Sequence, residues 1–359
     1  MKRLVTLLLT LTLAPLTAFS TSAQETNAEQ RMVLFSTVNG SISPKSVLAS
    51  NSGLVSAHNM MYRHSVTIYD AVTTQLIATV PDTVILSDFG FKKHSGSYKG
   101  APVEGAFSPD GKYLYFTNYA MYGKGFTKEG HDKCSPASGY DESFLSRIDL
   151  ATMKIDAVYP VGSVPKVVQV TPDNRYILVS NWCSYTVTVI SVETGKRIKD
   201  IKIGRYPRGI EISQDSQFAF IAEMGGSNIH RVDLNNFTKT LIPIGVNPRA
   251  LQLSPDGKYL YATLNSSGKV IAWNLEKNKA FKGVKTGDAA RSLAISSDGT
   301  ALFVVNFFSN TVSKVRTSDM KVLQTLKVCK EPIGISYDTS TNRTWVACYG
   351  GSLKIFDNK

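Results

Sequence analysis

Residues that usually build metal and redox centres are scarce in this sequence. It contains four cysteines and five histidines among 359 residues. No two cysteines form a Cys-x-x-Cys pair, which excludes a Cys-x-x-Cys-His haem attachment site and a zinc site made of paired motifs. The histidines in the first third of the chain lack the fixed spacing of metal ligands; they are His58, His64, His94 and His131. We therefore expect no metal and no cofactor.

Long hydrophobic runs are missing too, except at the start. The basic pair Lys2-Arg3 precedes an apolar stretch over residues 4–16, and small residues lead up to Ala23. This is the layout of a secretory signal peptide, too short for a membrane anchor. We predict a signal peptide over residues 1–23, cleaved near Ala23. No other segment is apolar enough to span a bilayer, so a periplasmic or secreted protein is expected.

A sustained helical stripe is the third missing feature. After the signal peptide the chain instead shows short alternating runs of aromatic and β-branched residues, such as Tyr113–Thr117 and Thr186–Ile190. Turn clusters such as Ser108–Gly111 separate these runs. The pattern indicates an all-β protein.

A repeat of about 42 residues organises the β-runs. Each unit reads Pro-(Lys/Arg)-x-x-apolar-x-apolar-(Ser/Thr)-x-Asp-Gly-x-(Tyr/Phe)-apolar. The anchors are prolines, or an alanine in place of one: Pro44, Pro102, Pro165, Pro207, Pro248, Ala290 and Pro332. An aspartate follows most anchors in a turn: Asp110, Asp173, Asp215, Asp256 and Asp298. Seven units of four short strands predict a seven-bladed β-propeller of four-stranded antiparallel blades.

The repeat is irregular in its first two units and incomplete in its last. We expect an insertion near residues 82–100, after blade 1, and another near 121–142, between the second and third strands of blade 2. The last unit has only three strands, and a spare strand near Met32–Val38 should complete it and close the ring. The prediction is thus a short linker over residues 24–31 and a single propeller domain over 32–359.

The repeat resembles the YVTN-type bacterial β-propeller repeat, which is related to surface-layer and lactonase-like propellers. The residues that carry the resemblance are Thr171–Asn181 (TPDNRYILVSN), Thr186–Ser191 and Glu193–Lys196. The similarity covers residues 44–356. It implies an exported binding or scaffold protein rather than one defined chemistry.

Basic residues recur at one position of the repeat. We name the strands of each blade A to D from the channel outwards, and we call the face that carries the D-to-A links and B-to-C loops the top face. The residue after the anchor, at the start of strand A, is basic in five of the seven units: Lys45, Lys166, Arg208, Arg249 and Arg291. The other two units have Val103 and Ile333 there. We predict that the five form a cationic collar around the channel mouth, or alternatively that they cap carbonyls or pair with acids of the next blade.

Asparagines and aromatic residues reach the same face at the end of strand B. The asparagines are Asn118, Asn181 and Asn306, and the aromatic residues one position later are Tyr119, Trp182, Phe307 and Tyr349. They could be turn and packing residues. Beside the collar, they could also offer hydrogen bonds and a stacking platform for sugars or bases. We include all seven in the predicted ligand-binding site.

The four cysteines allow three pairings, and the repeat selects one. Cys329 and Cys348 fall on the paired ends of strands A and B in blade 7. Cys134 and Cys183 lie in the B-to-C loops of adjacent blades 2 and 3. We predict the disulfides Cys134–Cys183 and Cys329–Cys348, which suit an exported protein.

The charge balance favours anionic partners. The formal net charge of +12 becomes +10 when Lys2 and Arg3 leave with the signal peptide. We predict a monomeric, non-enzymatic binding or scaffold protein whose top face binds an anionic polymer (nucleic acid or acidic glycan) or an acidic protein. The alternative is a lactonase-like hydrolase at the channel mouth, with Glu104, Glu223 or a histidine as base. A structural surface-layer role is the third possibility. No catalytic signature identifies a nucleophile or an acid pair, so no catalytic residue is predicted.

Overall fold

A computed structural model describes residues 26–50, 52–60 and 62–359. The predicted signal peptide, residues 1–23, lies outside the described residues. The described residues form seven four-stranded antiparallel sheets. The innermost strands of successive sheets lie side by side, and the first of them contacts the last, so the sheets form a ring around a central channel. This confirms the predicted all-β, seven-bladed β-propeller.

One insertion follows blade 1 and the other interrupts blade 2, whereas blade 3 contains no insertion. Blade 1 consists of β2 (Pro44–Ala49), β3 (Leu54–Asn59), β4 (Ser65–Asp70) and β5 (Leu76–Pro81). Blade 2 consists of β6 (Pro102–Phe107), β7 (Tyr113–Asn118), β8 (Ser143–Asp149) and β9 (Lys154–Val161). Blade 3 consists of β10 (Pro165–Val170), β11 (Tyr176–Asn181), β12 (Thr186–Ser191) and β13 (Arg197–Lys202). Two short 3-10 helices, Leu86–Phe89 and Pro136–Ser138, lie within the insertions.

The remaining four blades follow the regular repeat. Blade 4 consists of β14 (Pro207–Ile212), β15 (Phe218–Glu223), β16 (Asn228–Asp233) and β17 (Lys239–Pro243). Blade 5 consists of β18 (Pro248–Leu253), β19 (Tyr259–Leu264), β20 (Lys269–Asn274) and β21 (Lys279–Lys285). Blade 6 consists of β22 (Ala290–Ile295), β23 (Ala301–Asn306), β24 (Thr311–Arg316) and β25 (Lys321–Lys327). Blade 7 consists of β26 (Pro332–Asp338), β27 (Arg343–Cys348), β28 (Ser352–Asn358) and β1 (Met32–Asn39).

Burial follows the position of each strand in its blade. In the second strand of blade 3, Ile177, Leu178 and Val179 are fully buried on consecutive positions, because blades pack against each other on both faces. In the outer strand β13, by contrast, four of the six residues are exposed and only Ile201 is buried. The turn aspartates hold the A-to-B turns: Asp110 accepts hydrogen bonds from Ser108 Oγ (2.5 Å) and from the backbone N–H of Lys112 (3.2 Å).

The ring closes in blade 7, as predicted. Strand β1 pairs antiparallel with β28, with Met32 opposite Asn358 and Asn39 opposite Ser352. At the seam between blade 7 and blade 1, a hydrophobic core joins residues of blade 1, such as Val55, to residues of blade 7, such as Trp345. The pairing covers the edge that β28 would otherwise expose.

The residues predicted as a linker are partly anchored. The backbone N–H of Asn27 donates to Asp298 Oδ2 at 2.8 Å, and that of Ala28 donates to Thr300 Oγ1 at 3.0 Å. Both acceptors belong to the A-to-B turn of blade 6. Asp298 therefore serves a contact between segments as well as its own turn, which the repeat alone did not indicate.

Both disulfides are present with the predicted pairing, Cys134–Cys183 and Cys329–Cys348. The first ties the insertion of blade 2 to the B-to-C loop of blade 3. In the part of the chain that the structure describes, no helix is long and apolar enough to cross a membrane.

We expect the Cys134–Cys183 disulfide to stabilise the fold measurably. Replacing both cysteines with alanine should lower the free energy of unfolding by about 2–5 kcal/mol, because the cross-link restricts the unfolded chain across a sequence separation of 49 residues. Urea unfolding of the double variant measures the loss. Reducing the native protein breaks both disulfides and should cost more than the double variant does. A double variant as stable as the native protein would contradict the prediction.

Candidate functional site

The basic residues after the anchors converge at the channel mouth. They begin the innermost strands, whose top ends surround the channel. A cavity of about 270 Å³ in the channel is lined by Arg208, Arg249 and Arg291 together with Glu104 of blade 2. Lys166, Arg208 and Arg249 are each only 6% exposed. The cationic collar, which we define as Lys45, Lys166, Arg208, Arg249 and Arg291, is thus recessed in the mouth and does not project from the top face.

Burial and mutual repulsion both disfavour the charged forms of the collar. Burial, followed by the charges of Arg291, Arg249 and Arg208, lowers the pKa of Lys45 to about 7. The same two causes lower the pKa of Arg291 to about 10. The pKa of Lys166 and that of Arg249 are lowered well below their ordinary values, with burial as the largest cause. The collar residues thus oppose one another's charge, in addition to the larger effect of burial.

Two carboxylates pair with the collar. Lys166 Nζ lies 3.4 Å from Asp132 Oδ1, and Arg208 Nη2 lies 2.8 Å from Glu104 Oε1. The second pair joins blade 4 to blade 2 and so reaches past blade 3 at the mouth. Only the Lys166–Asp132 pair joins adjacent blades, as the alternative of pairing with acids of the next blade expects.

The other three cations have no such partner. Among the described residues, Lys45, Arg249 and Arg291 have no carboxylate within ion-pair distance. Arg291 Nε and Arg208 Nη1 are buried without a hydrogen-bond acceptor. Buried donors are normally paired, so these two donors could bind further acceptors at the mouth.

The aromatic residues support the collar instead of forming an open platform. Lys166 Nζ lies 4.3 Å from the ring centre of Tyr119 and 5.3 Å from that of Trp182. The Arg291 guanidinium lies 4.2 Å from the ring of Phe307, and Lys45 Nζ lies 5.1 Å from that of Tyr349. Cations over aromatic faces are stabilised by the ring quadrupole.

The stacking platform stays a prediction, and the cations limit the ring faces that it could use. One face of each of these rings is occupied by the protein's own cation. Trp182 is only 8% exposed, and its ring stacks on Tyr206 with centres 4.4 Å apart. The contacts indicate that the aromatic residues help to position the cations.

The asparagines at the end of strand B fasten the blade internally. Asn181 Oδ1 accepts from the backbone N–H of Gly162 at 3.1 Å, and its Nδ2 donates to Thr188 Oγ1 at 2.8 Å. Asn118 donates to Ser146 Oγ, and Asn306 to Ser313 Oγ, at 3.1 and 3.0 Å. Asn118, Asn181 and Asn306 are all fully buried. Since their amides cannot reach a ligand, we leave these three out of the proposed site.

Blade 4 has a variant of the same fastening. Glu223 stands where the asparagine is found in other blades, and its Oε1 accepts from the backbone N–H of Arg205 at 3.2 Å. Its Oε2 lies 3.0 Å from His230 Nε2. His230 follows Glu223 by seven residues, as Thr188 follows Asn181. In this geometry Glu223 thus makes contacts like those of the asparagines in other blades. The seven-residue spacing was visible in the sequence and could have revealed this.

Removing one of these amides should destabilise the fold without affecting the collar. Asn181→Ala leaves the buried Gly162 N–H without its acceptor, so we expect a loss of about 1–3 kcal/mol in the free energy of unfolding. Urea unfolding measures this. Asn39→Ala, at an exposed position, is the matched control and should change stability little. An unchanged stability for Asn181→Ala would show that the fastening is unimportant.

The insertion of blade 2 contributes the acid that sequence reasoning missed. Asp132 has no place in the repeat register. It is positioned by the Cys134–Cys183 disulfide, by the Tyr185 hydroxyl, which donates to the carbonyl of Cys134 at 2.7 Å, and by Trp182 Nε1, which donates to the carbonyl of Asp132 at 3.0 Å. The two insertions pack on each other through Tyr98 and Phe126, with ring centres 5.5 Å apart.

The remaining histidines do not assemble a site. His58 is fully buried, which lowers its pKa to about 3, and its Nδ1 lies 2.9 Å from Ser46 Oγ. His64 contacts the carbonyl of Gly100 at 2.8 Å, and His94 stacks on Phe126. Among the residues described, no three His, Cys, Asp or Glu side chains lie together as a metal site requires.

The comparisons with known proteins agree with the fold. A family model described as a YNCE-like beta-propeller matches residues 126–217. Antigen Lp49 of Leptospira interrogans serogroup Icterohaemorrhagiae serovar copenhageni (strain Fiocruz L1-130) is 28% identical over 167 residues, which are 44% of this chain and 36% of that protein. The match thus spans about a third of the relative's length.

A solved structure extends the similarity over most of the ring. A chain of hydrazine synthase from Kuenenia stuttgartiensis superposes with a TM-score of 0.70 and 17% identity, covering 89% of this chain and 96% of that chain. Similarity at this level of identity shows the fold alone.

The fold and the site define a seven-bladed β-propeller with a cationic channel mouth. The matches over parts of the chain are consistent with the resemblance to the YVTN-type bacterial β-propeller repeat seen in the sequence. The family is consistent with a binding or scaffold role.

Proposed function

We propose that this protein is an exported binding propeller whose channel mouth binds an anionic ligand. One observation carries the proposal: five cations surround the mouth, and within the described part of the chain only two of them have a carboxylate partner. Low-dielectric walls around such a cluster focus its field and attract anions. Export is supported by the two disulfides and by the name of the antigen relative.

The hydrolase alternative finds no support in the placement of its bases. Glu104 is paired with Arg208, and Glu223 is held by His230 and a backbone N–H. Both carboxylates are thus engaged in contacts within the protein. A binding role requires only the charges, and those are present.

The test is a binding panel of a single-stranded oligonucleotide, an acidic glycan and an acidic peptide across a salt series. We expect at least one anion to bind, with an affinity that falls as salt rises. Arg249→Glu should weaken it at least tenfold. Lys196→Glu, which makes the same charge change in the exposed C-to-D turn of blade 3, is the matched control and should not. Equal losses from the two variants, or no binding in any arm, would overturn the proposal.

Binding should also depend on pH near neutrality. Lys45 has a pKa of about 7 and is faced by Arg291, Arg249, Arg208 and Asp132. The protonated amine attracts the anion, so affinity should be highest below pH 7 and fall as the pH rises through 7. Titrations at pH 6 and pH 8 measure the effect. The Lys45→Met variant should bind the anion more weakly than the native protein at pH 6, and its affinities at pH 6 and pH 8 should differ less. If the substitution leaves the pH profile of binding unchanged, Lys45 is excluded from the site.

A further inference from the structure

We propose that the channel mouth holds a small, multiply charged oxyanion, bearing phosphate or carboxylate groups, between Arg208, Arg249 and Arg291. This inference rests on the proposed anion-binding function and narrows it. The ligand enters the channel, whereas a polymer would lie across the top face.

The three arginines form one converging group. They occupy the same position of strand A in three consecutive blades, on β14, β18 and β22, and these strands are direct neighbours in the ring. The charges of Arg291 and Arg208 both contribute to lowering the pKa of Arg249, after burial as the main cause. A guanidinium is a planar fork that matches carboxylate and phosphate oxygens with two parallel hydrogen bonds. Three adjacent forks suit a ligand with more than one such group.

Donors in this group lack acceptors. Arg208 uses Nη2 for Glu104, but its Nη1 is buried without an acceptor, as is Arg291 Nε. The hydrogen-bond contact of Arg249 is to the thioether sulfur of Met224, 3.6 Å from Nη1. A thioether is a weak acceptor. Oxygen atoms of a ligand in the cavity would supply what these buried donors lack.

The cavity favours a small ligand. Its volume of about 270 Å³ lies just below the range of about 300–1,000 Å³ that is usual for drug-sized ligands. Because Arg208 and Arg249 are each only 6% exposed, a chain lying across the top face would make little contact with them.

The lower channel does not oppose an anion. Glu211 lines the same cavity below the arginines. Burial raises the pKa of Glu211 to about 8, which favours the uncharged form of this carboxyl at pH 7. It is held by Gln252 Nε2 at 3.1 Å and by the backbone N–H of Leu253 at 3.2 Å. The cavity thus combines positive charge at the mouth with a neutral interior.

The experiment is isothermal titration calorimetry of the mature protein at low salt with pyrophosphate, citrate and acetate, alongside the oligonucleotide and the acidic glycan. Pyrophosphate or citrate should bind with 1:1 stoichiometry and at least tenfold more tightly than acetate. Arg249→Met should weaken this binding at least tenfold, and Arg249→Lys should weaken it less, because it keeps the charge but loses the fork. Lys196→Met should bind as the native protein does.

The outcomes separate this inference from the proposed function. Arg249→Met removes a buried, uncompensated charge, so the variant should fold, and circular dichroism checks this. Arg291→Met tests the same site if Arg249→Met does not fold. If the polymers bind in an Arg249-dependent way but pyrophosphate and citrate bind no better than acetate, the small-ligand inference is overturned and the anion-binding function stands. If no anion binds in any arm, both are overturned.

Discussion

A Glu104→Gln variant should be less stable than the native protein and should bind anions more tightly. The change removes the carboxylate 2.8 Å from Arg208 Nη2 and leaves a guanidinium that is 6% exposed without its counter-charge. Removing one partner of a buried ion pair costs about 3–5 kcal/mol. The same loss adds one unit of net positive charge at the mouth, which favours an incoming anion.

Two measurements check the opposed effects. Urea unfolding without added anion should show the loss of stability, and adding a ligand at 100 times its dissociation constant should restore about 2.7 kcal/mol. Asp110→Asn removes the same charge in a turn of the bottom face and serves as the control for affinity. If Glu104→Gln weakened anion binding, the carboxylate would have to contact the ligand itself, and our account of the mouth would be wrong.

Trp345→Ala should be the most destabilising single change at the closing seam. Trp345 is fully buried, and its ring lies 6.3 Å from that of Tyr69 in blade 1. Truncating a buried tryptophan to alanine costs about 3–5 kcal/mol through lost burial and the cavity that remains. Because this cavity would open between the last blade and the first, the variant probes the closure of the ring.

Trp345→Phe separates packing from hydrogen bonding. Trp345 Nε1 has no acceptor among the described residues, so phenylalanine loses volume but no hydrogen bond. We expect it to cost clearly less than alanine in urea unfolding. Phe281→Ala, at a side chain that is 47% exposed, is the surface control. A Trp345→Ala variant within 1 kcal/mol of the native protein would contradict the prediction.

The fold could be predicted because its information is local and repeated. Each Asp-Gly turn and each alternating strand is specified within a few residues. Because the unit occurs seven times, its pattern can be recognised even where single units deviate from it. The same register placed Arg208, Arg249 and Arg291 at the mouth, since one position in a repeat has one position in the ring. It also gave the pairing of Cys329 with Cys348.

The details of the site depend on contacts that the register does not specify. Asp132 comes from an insertion with no counterpart in other blades, so its approach to Lys166 had no sequence signal. The sequence makes Glu104 a candidate base at the channel mouth. Its ion pair with Arg208, which joins blade 2 to blade 4, depends on the width of the channel, and the sequence does not specify that width. The sequence places a cation near Tyr119, but it does not show that the cation covers the ring. A prediction from sequence therefore takes this ring to be exposed.

The closing strand also has a mechanical consequence. Strands β1 and β28 are antiparallel, and Met32 lies opposite Asn358, so the two ends of the domain emerge side by side at one end of this strand pair. Tension between them would load the hydrogen bonds one after another, as in a zipper, instead of shearing all of them at once. A pull on both ends should therefore first break the contacts of Asn27 and Ala28 with the turn of blade 6 and then open blade 7 at low force, while the other six blades stay folded.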